Sequence, residues 1–254
     1  MRLLALTLAF SLLVLSALSV LAAAPLLAPG PPSGSSMQTG GDSEAAYVFR
    51  DDFQNGKPQL DWRPFPGFNQ DNVKGSRDST SPAEDKGVGV LTNANAGGFA
   101  ALSYVDREVP RDFVVETWLY TTVASDQKGA LNGVAFRVDP AGERFYRVAA
   151  LFAADPSLSL AYVGRDTQNY PVSIRVWHAD EIPGGVPTES GWHRLRIDVV
   201  GDRAEIFWDG AKLPGGPFTI DRVDSGYVGV YATYTGGLGR AETRVDDFAV
   251  RPDG

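Results

Sequence analysis

The sequence predicts an all-β domain built as a two-sheet antiparallel sandwich of the jelly-roll kind. Three observations carry that expectation. From Tyr47 onward, short runs of β-branched, aromatic and aliphatic residues alternate with turn signals. No segment of that region repeats apolar residues at helical spacing. Finally, Arg50-Asp51-Asp52-Phe53 near the start is echoed by Val245-Asp246-Asp247-Phe248 near the end, which places the first and last strands side by side.

Taken in order, the expected strands are Tyr47–Phe53, Gly98–Val105, Phe113–Thr121, Asn132–Val138, Arg144–Phe152 and Leu158–Val163. They continue with Val172–His178, Trp192–Val200, Arg203–Trp208, Gly226–Tyr234 and Glu242–Val250. Asp139-Pro140-Ala141-Gly142, Gly201-Asp202 and Asp209-Gly210 are turn sequences between them. The 28 glycines and 17 prolines suit many short strands joined by turns. A chain of 254 residues can bury one large β domain.

The first residues read as an address. Met1-Arg2 is followed by a long apolar run ending in Ala22-Ala23-Ala24, and no further charge appears before Asp42. That is the pattern of a secretory signal over residues 1–24, cut after Ala22 or Ala23. The run also reaches the ~20 residues needed to cross a bilayer, so an uncleaved membrane anchor is the alternative. Both place the domain outside the cytoplasm, whether secreted, periplasmic or on the cell surface. Residues 25–46, rich in Pro, Gly and Ser, form a flexible tether, and 47–254 form the domain.

Composition excludes several classes. Hydrophobic residues make up 43% and charged residues 21%, as in ordinary globular proteins rather than disordered ones. The formal net charge is -8, and the arginines are scattered among acids, which argues against a nucleic-acid partner. The absence of cysteine removes disulfides, thiolate metal sites and thiol nucleophiles.

FRDDF (Phe49–Phe53), DFVVETW (Asp112–Trp118), NGVAFR (Asn132–Arg137) and RFYRV (Arg144–Val148) come in this order. GWHRLRIDVVGDRAEIFWDG (Gly191–Gly210), GYVGVYA (Gly226–Ala232) and VDDFAV (Val245–Val250) complete the series. The chain resembles, over about residues 47 to 252, the concanavalin A-like lectin/glucanase superfamily. Within it, bacterial laminin-G-like and 3-keto-disaccharide hydrolase domains are the nearest in pattern. The resemblance implies a jelly roll whose concave sheet carries ligand; such folds host lectins, hydrolases and adhesion modules alike.

Side chains alternate across a strand, so parity assigns faces. With Phe113, Val115 and Leu119 inward, Glu116, Trp118 and Tyr120 point outward. If Val134, Phe136 and Val138 face the core, Arg137 faces out; Arg147 follows from inward Tyr146 and Val148, and Arg175 and Trp177 from inward Val172, Ile174 and Val176. With His178 on the adjoining loop, these residues form the candidate ligand face. Aromatic rings accept the C–H surface of a pyranose while arginine and carboxylate bond its hydroxyls. The competing reading is a solvated sheet with cross-strand Glu–Arg pairs.

Catalytic machinery is harder to find. The Glu-x-Asp-x-x-Glu strand motif of family-16 glycoside hydrolases is absent, which excludes a glucanase of that type, and no partner carboxylate is evident for Glu116. A hydrolase of the 3-keto-disaccharide type stays open, although Asn132-Gly133-Val134 departs from its usual Asn-Ser-Gly. His193, in Trp192-His193-Arg194-Leu195, reads as a packing residue. By resemblance, a structural Ca²⁺ is expected at Asp246 and Asp247 on the last strand with Asp51 on the first; such an ion needs six or more oxygens. The expected function is exported carbohydrate binding, with a hydrolase and then an adhesion or scaffold domain as alternatives.

Overall fold

The computed structural model describes residues 46–253 apart from 69–70, 94–99, 125–128 and 236–239. The expected signal and all but the last residue of the tether lie outside the described residues.

Strands β1 (Phe49–Asp51), β2 (Trp62–Pro64), β3 (Lys74–Arg77), β4 (Gly87–Asn93), β5 (Ala101–Val105) and β6 (Phe113–Thr121) come first. They are followed by β7 (Ala130–Asp139), β8 (Arg144–Leu151), β9 (Ser157–Gly164), β10 (Val172–His178) and β11 (Gly191–Val200). The last are β12 (Arg203–Trp208), β13 (Ala211–Lys212), β14 (Phe218–Thr219), β15 (Tyr227–Tyr234) and β16 (Ala241–Pro252). Sheet A runs β13-β12-β11-β6-β16-β4-β3, with β1 on β16 and β14 on β12; sheet B runs β10-β9-β8-β7-β15-β5-β2. The strand pairings are antiparallel throughout, as a jelly roll requires.

The expected adjacency of the first and last strands is present: Phe49 stands opposite Val250 and Asp51 opposite Phe248. The sequence reading misses β2, β3, β4, β13 and β14. β3 (Lys-Gly-Ser-Arg) has no apolar residue, and in β4 glycines occupy the first and third positions. A Cβ at Gly89 would lie 2.4 Å from the ring of Phe53, so the missing side chain there is the space an aromatic from the opening strand fills.

The core lies between the sheets. Phe113, Val115 and Leu119 of β6 and Leu195, Ile197 and Val199 of β11 share one buried cluster with Val134, Phe136, Tyr146, Val148, Leu158 and Leu160 of sheet B. Each such side chain contributes roughly 1.5–3 kcal/mol by leaving water. β6 and β7 thus meet face to face across the core rather than side by side, because β6 pairs with β11 and β16 while β7 pairs with β8 and β15. A second cluster lies on the outer face of sheet B: Phe65, Leu102, Leu131, Ala135, Phe145, Ala149, Val163 and Tyr231, with Tyr104, Tyr227 and Phe68 packed against it.

Candidate functional site

The residues expected on one ligand face divide between the two sheets. Glu116, Trp118 and Tyr120 stand on the outer face of sheet A, and Arg147 on the outer face of sheet B. The sandwich core separates them, so the predicted set cannot form one site. Strand neighbourhood fails first, because β6 belongs to sheet A and β8 to sheet B.

Two members fail on parity as well, each at a bulge. The register of β7 slips between Phe136 and Asp139, and Arg137 there has φ 47°. The slip turns Arg137 inward, 1% exposed, where its guanidinium donates to the carbonyls of Ile220 (3.0 Å), Val223 (2.8 Å) and Gly201. The register of β10 slips between Ser173 and Arg175, so that Arg175 stands opposite Leu160 and Trp177 opposite Leu158, both core residues. Trp177 is consequently 0% exposed; its Nε1 donates to the Pro214 carbonyl at 2.8 Å and its ring meets Phe218 edge-on. Arg175 is paired with Glu181, while Val172 and Ile174, expected inward, are exposed. His178 is exposed at the sheet edge, with Nδ1 3.9 Å from an Asp155 oxygen.

On sheet A the charges neutralise one another. Arg194 bonds Glu116 at 2.8 Å and lies over the Trp118 ring, and Arg244 bonds Asp78 (2.9 Å) and Glu242 (2.7 Å) over the ring of Tyr120. Trp192 packs edge-on against Tyr120 and donates to Thr80 at 3.1 Å. This is a solvated sheet with cross-strand Glu–Arg pairs. The cleft beside Glu116 and Trp118 holds about 40 Å³, room for a few waters.

The outer face of sheet B differs in kind. Its outward positions include Arg63 on β2 and His178 on β10 at the edges, Leu102 and Tyr104 on β5, Tyr227, Gly229, Tyr231 and Thr233 on β15, and Leu131, Gly133 and Ala135 on β7. β8 adds Phe145, Arg147, Ala149 and Leu151, and β9 adds Ser157, Ser159, Ala161 and Val163. Tyrosines 104 and 227 pack with centroids 5.0 Å apart, and Phe145 lies against Tyr231 (6.0 Å) and Phe65 (5.3 Å). None of these strand positions is Asp or Glu. The sequence reading missed Tyr104, Tyr227 and Tyr231, although the alternation of Tyr227, Gly229, Tyr231 and Thr233 already placed them on one face.

The predicted metal ligands do not gather. Asp51 is buried and fully engaged: it accepts from the backbone N–H of Phe53, Gln59 and Leu60 and from Trp62 Nε1 at 2.9 Å. Asp247 is held by Arg50 at 2.6 Å. Asp246 alone keeps a buried oxygen, Oδ1, without a hydrogen bond, its Oδ2 accepting from Ser81. Among the described residues no three His, Cys, Asp or Glu side chains converge on a common point. As a trio these residues do not fit an ion, since two of them are already committed elsewhere. Asn132, in the strand likened to the keto-disaccharide hydrolases, is buried between the sheets and donates to the Glu242 carbonyl (2.7 Å) and Thr243 Oγ1 (2.9 Å), a structural tie. His193 stacks on Trp208 and bonds Asp209 at 2.8 Å, in keeping with its expected packing role.

A two-layer antiparallel jelly roll with its termini paired in one sheet is the concanavalin A-like fold. No family model matches the chain, and no curated relative does. Solved structures do match. The chain is similar to a β-1,3-glucanase from Mycobacterium marinum, with TM-score 0.51, 13% identity and coverage of 82% of this chain and 99% of that one. It is equally similar to the cellulose induced protein Cip1, with TM-score 0.51, 15% identity and coverage of 80% and 96%. A third match, described with endo-acting O-glycanases of human gut microbiota that initiate mucin breakdown, has TM-score 0.52, 9% identity and coverage of 82% and 100%. At such identities the likeness establishes the fold.

Proposed function

We propose that the chain is an exported carbohydrate-binding domain that takes its ligand on the outer face of sheet B. The carrying observation is that face itself: half-buried Tyr104 and Tyr227, buried Tyr231, small side chains, Arg147 and the edge residue Arg63, with no carboxylate among its described strand positions. Tyrosine rings offer platforms for sugar C–H faces, and their hydroxyls bond the ring substituents. The named neighbours that act on glycans support the same reading. A retaining hydrolase needs two carboxylates about 5 Å apart, and the described strand positions of this face carry none, Asp61 and Asp106 at its edge being held by Arg63. The export reading comes from the signal-like residues 1–24. Calcium belongs to the reading at Asp246 only, with backbone carbonyls and water completing its shell.

The test is a glycan and polysaccharide array, run with and without calcium on the protein and on Tyr227→Ala and Trp118→Ala. The expected outcome is binding that falls about tenfold or more in Tyr227→Ala and persists in Trp118→Ala, since buried aromatics dominate such contacts. The reverse pattern would move the site to sheet A. Binding to no glycan would leave an adhesion role as the better account.

A further inference from the structure

Many arginines of this sandwich are neutralised by a neighbouring acid. Arg50, Arg144, Arg194, Arg196 and Arg244 each hold a carboxylate within 3.0 Å, and buried Arg137 is held by three carbonyls. Arg77 and Arg107, without a carboxylate among the described residues, bond Asn55 and the Val48 carbonyl near the surface; Arg147 differs from them in being buried. It is 6% exposed, its Nη1 donates to Ser159 Oγ at 3.2 Å, and its guanidinium lies 5.2 Å from the centroid of the Tyr231 ring. Its Nε has no acceptor, and among the described residues no carboxylate pairs with it. Burying a cation without a counter-charge is strongly unfavourable, so a chain with acids in excess leaves an unusual debt here.

No acidic side chain stands among the strand neighbours of Arg147. Its cross-strand neighbours on the same face are Ala135 on one side and Ala161 on the other. The next row is Gly133, Ala149 and Ser159. Arg147 therefore rises from a floor of small side chains, with aromatic rings of Tyr231 and Phe145 beside it. A guanidinium is a planar fork suited to an oxyanion with two acceptor oxygens.

We propose that the ligand is an acidic glycan, whose carboxylate or sulfate oxyanion is received by Arg147 while Tyr231 supports the sugar ring that bears it. This rests on the reading of sheet B as the glycan face. The overall charge of -8 does not attract an anionic polymer, so the selectivity comes from this contact.

The experiment compares matched polymers: a uronate-containing polysaccharide with its carboxyl-reduced form, and a sulfated glycan with its desulfated form. Equilibrium binding is measured for the protein and for Arg147→Gln, Arg147→Lys and Tyr227→Ala. One acidic polymer should bind about tenfold or more tighter than its neutral counterpart, and which pair shows it separates uronate from sulfate. Arg147→Gln should abolish that preference, so that the acidic polymer binds no tighter than its neutral counterpart. Its thermal midpoint should equal or exceed the parent's, since an uncompensated cation is removed, whereas a residue with a structural role would lower it. Arg147→Lys, charged but without the fork, should retain a reduced preference. Equal binding of acidic and neutral forms, or a preference surviving in Arg147→Gln, overturns the proposal alone. Loss of both forms in Tyr227→Ala keeps the glycan face, and binding of no polymer overturns both.

Discussion

Asp51 shows how a residue can look like a ligand and be spent on the fold. Its position in Phe49–Phe53 suggested an ion site, yet its two oxygens gather three backbone N–H groups and the Trp62 indole. It ties the opening strand to the 59–62 segment that enters sheet B. Asp51→Ala would leave those donors buried and unmet, and each orphaned group costs about 1–3 kcal/mol. The expected loss is about 3 kcal/mol in urea unfolding, read alongside Trp62 fluorescence. A loss below about 1 kcal/mol would mean that water or a neighbour replaces the carboxylate. Trp118 and Trp177 teach a related lesson. Both are tryptophans near a strand's outward parity, but one lies under Arg194 at the surface and the other is sealed beneath Phe218.

At the scale of elements, the sequence was legible wherever alternation was strong. β6, β10 and β12 fall on their expected bounds, because runs such as Phe113–Thr121 carry an apolar residue at nearly every second position. β2, β3 and β4 were invisible: β3 has no apolar residue to hold it, while β2 is three residues long and β4 is interrupted by glycine, although Trp62 and Leu91 reach the core. Two kinds of information escaped local reading: which sheet a strand joins, and where one extra residue shifts the register. Ile174 is that extra residue in β10, between Ser173 opposite Ala161 and Arg175 opposite Leu160. Deleting it should restore a regular ladder and leave Trp177 buried, with stability within about 1 kcal/mol of the parent and unchanged tryptophan emission. Trp177→Ala should by contrast cost about 3–5 kcal/mol, through the cavity it leaves. A red-shifted emission after the deletion would show that the bulge, and not the flanking pairing, buries the ring.

For the molecule as a whole, the carboxylates set how it meets acid. Burial tends to raise the pKa of Asp78, but hydrogen bonds from Thr80 and the pairing with Arg244 outweigh it and leave it lowered. The same contest favours the ionised form of Asp139, through Gly142 and Arg144, and of Asp209, through His193 and the Arg194 N–H. A depressed folded-state pKa adds stability that is present above the unfolded value of 3.8 and is lost as pH falls through the folded one. Thermal midpoints should therefore hold steady toward neutrality and decline below about pH 4, the decline shrinking in Asp78→Asn. A midpoint that rises on acidification would contradict this. The pairing of β1 with β16 has a mechanical consequence too. Val48 donates to the Val250 carbonyl and Phe49 faces Val250, so the two ends of the domain emerge side by side from antiparallel neighbours. A pull applied between them would load those bonds one after another, as in opening a zipper, and the sandwich would yield at low force from that corner first.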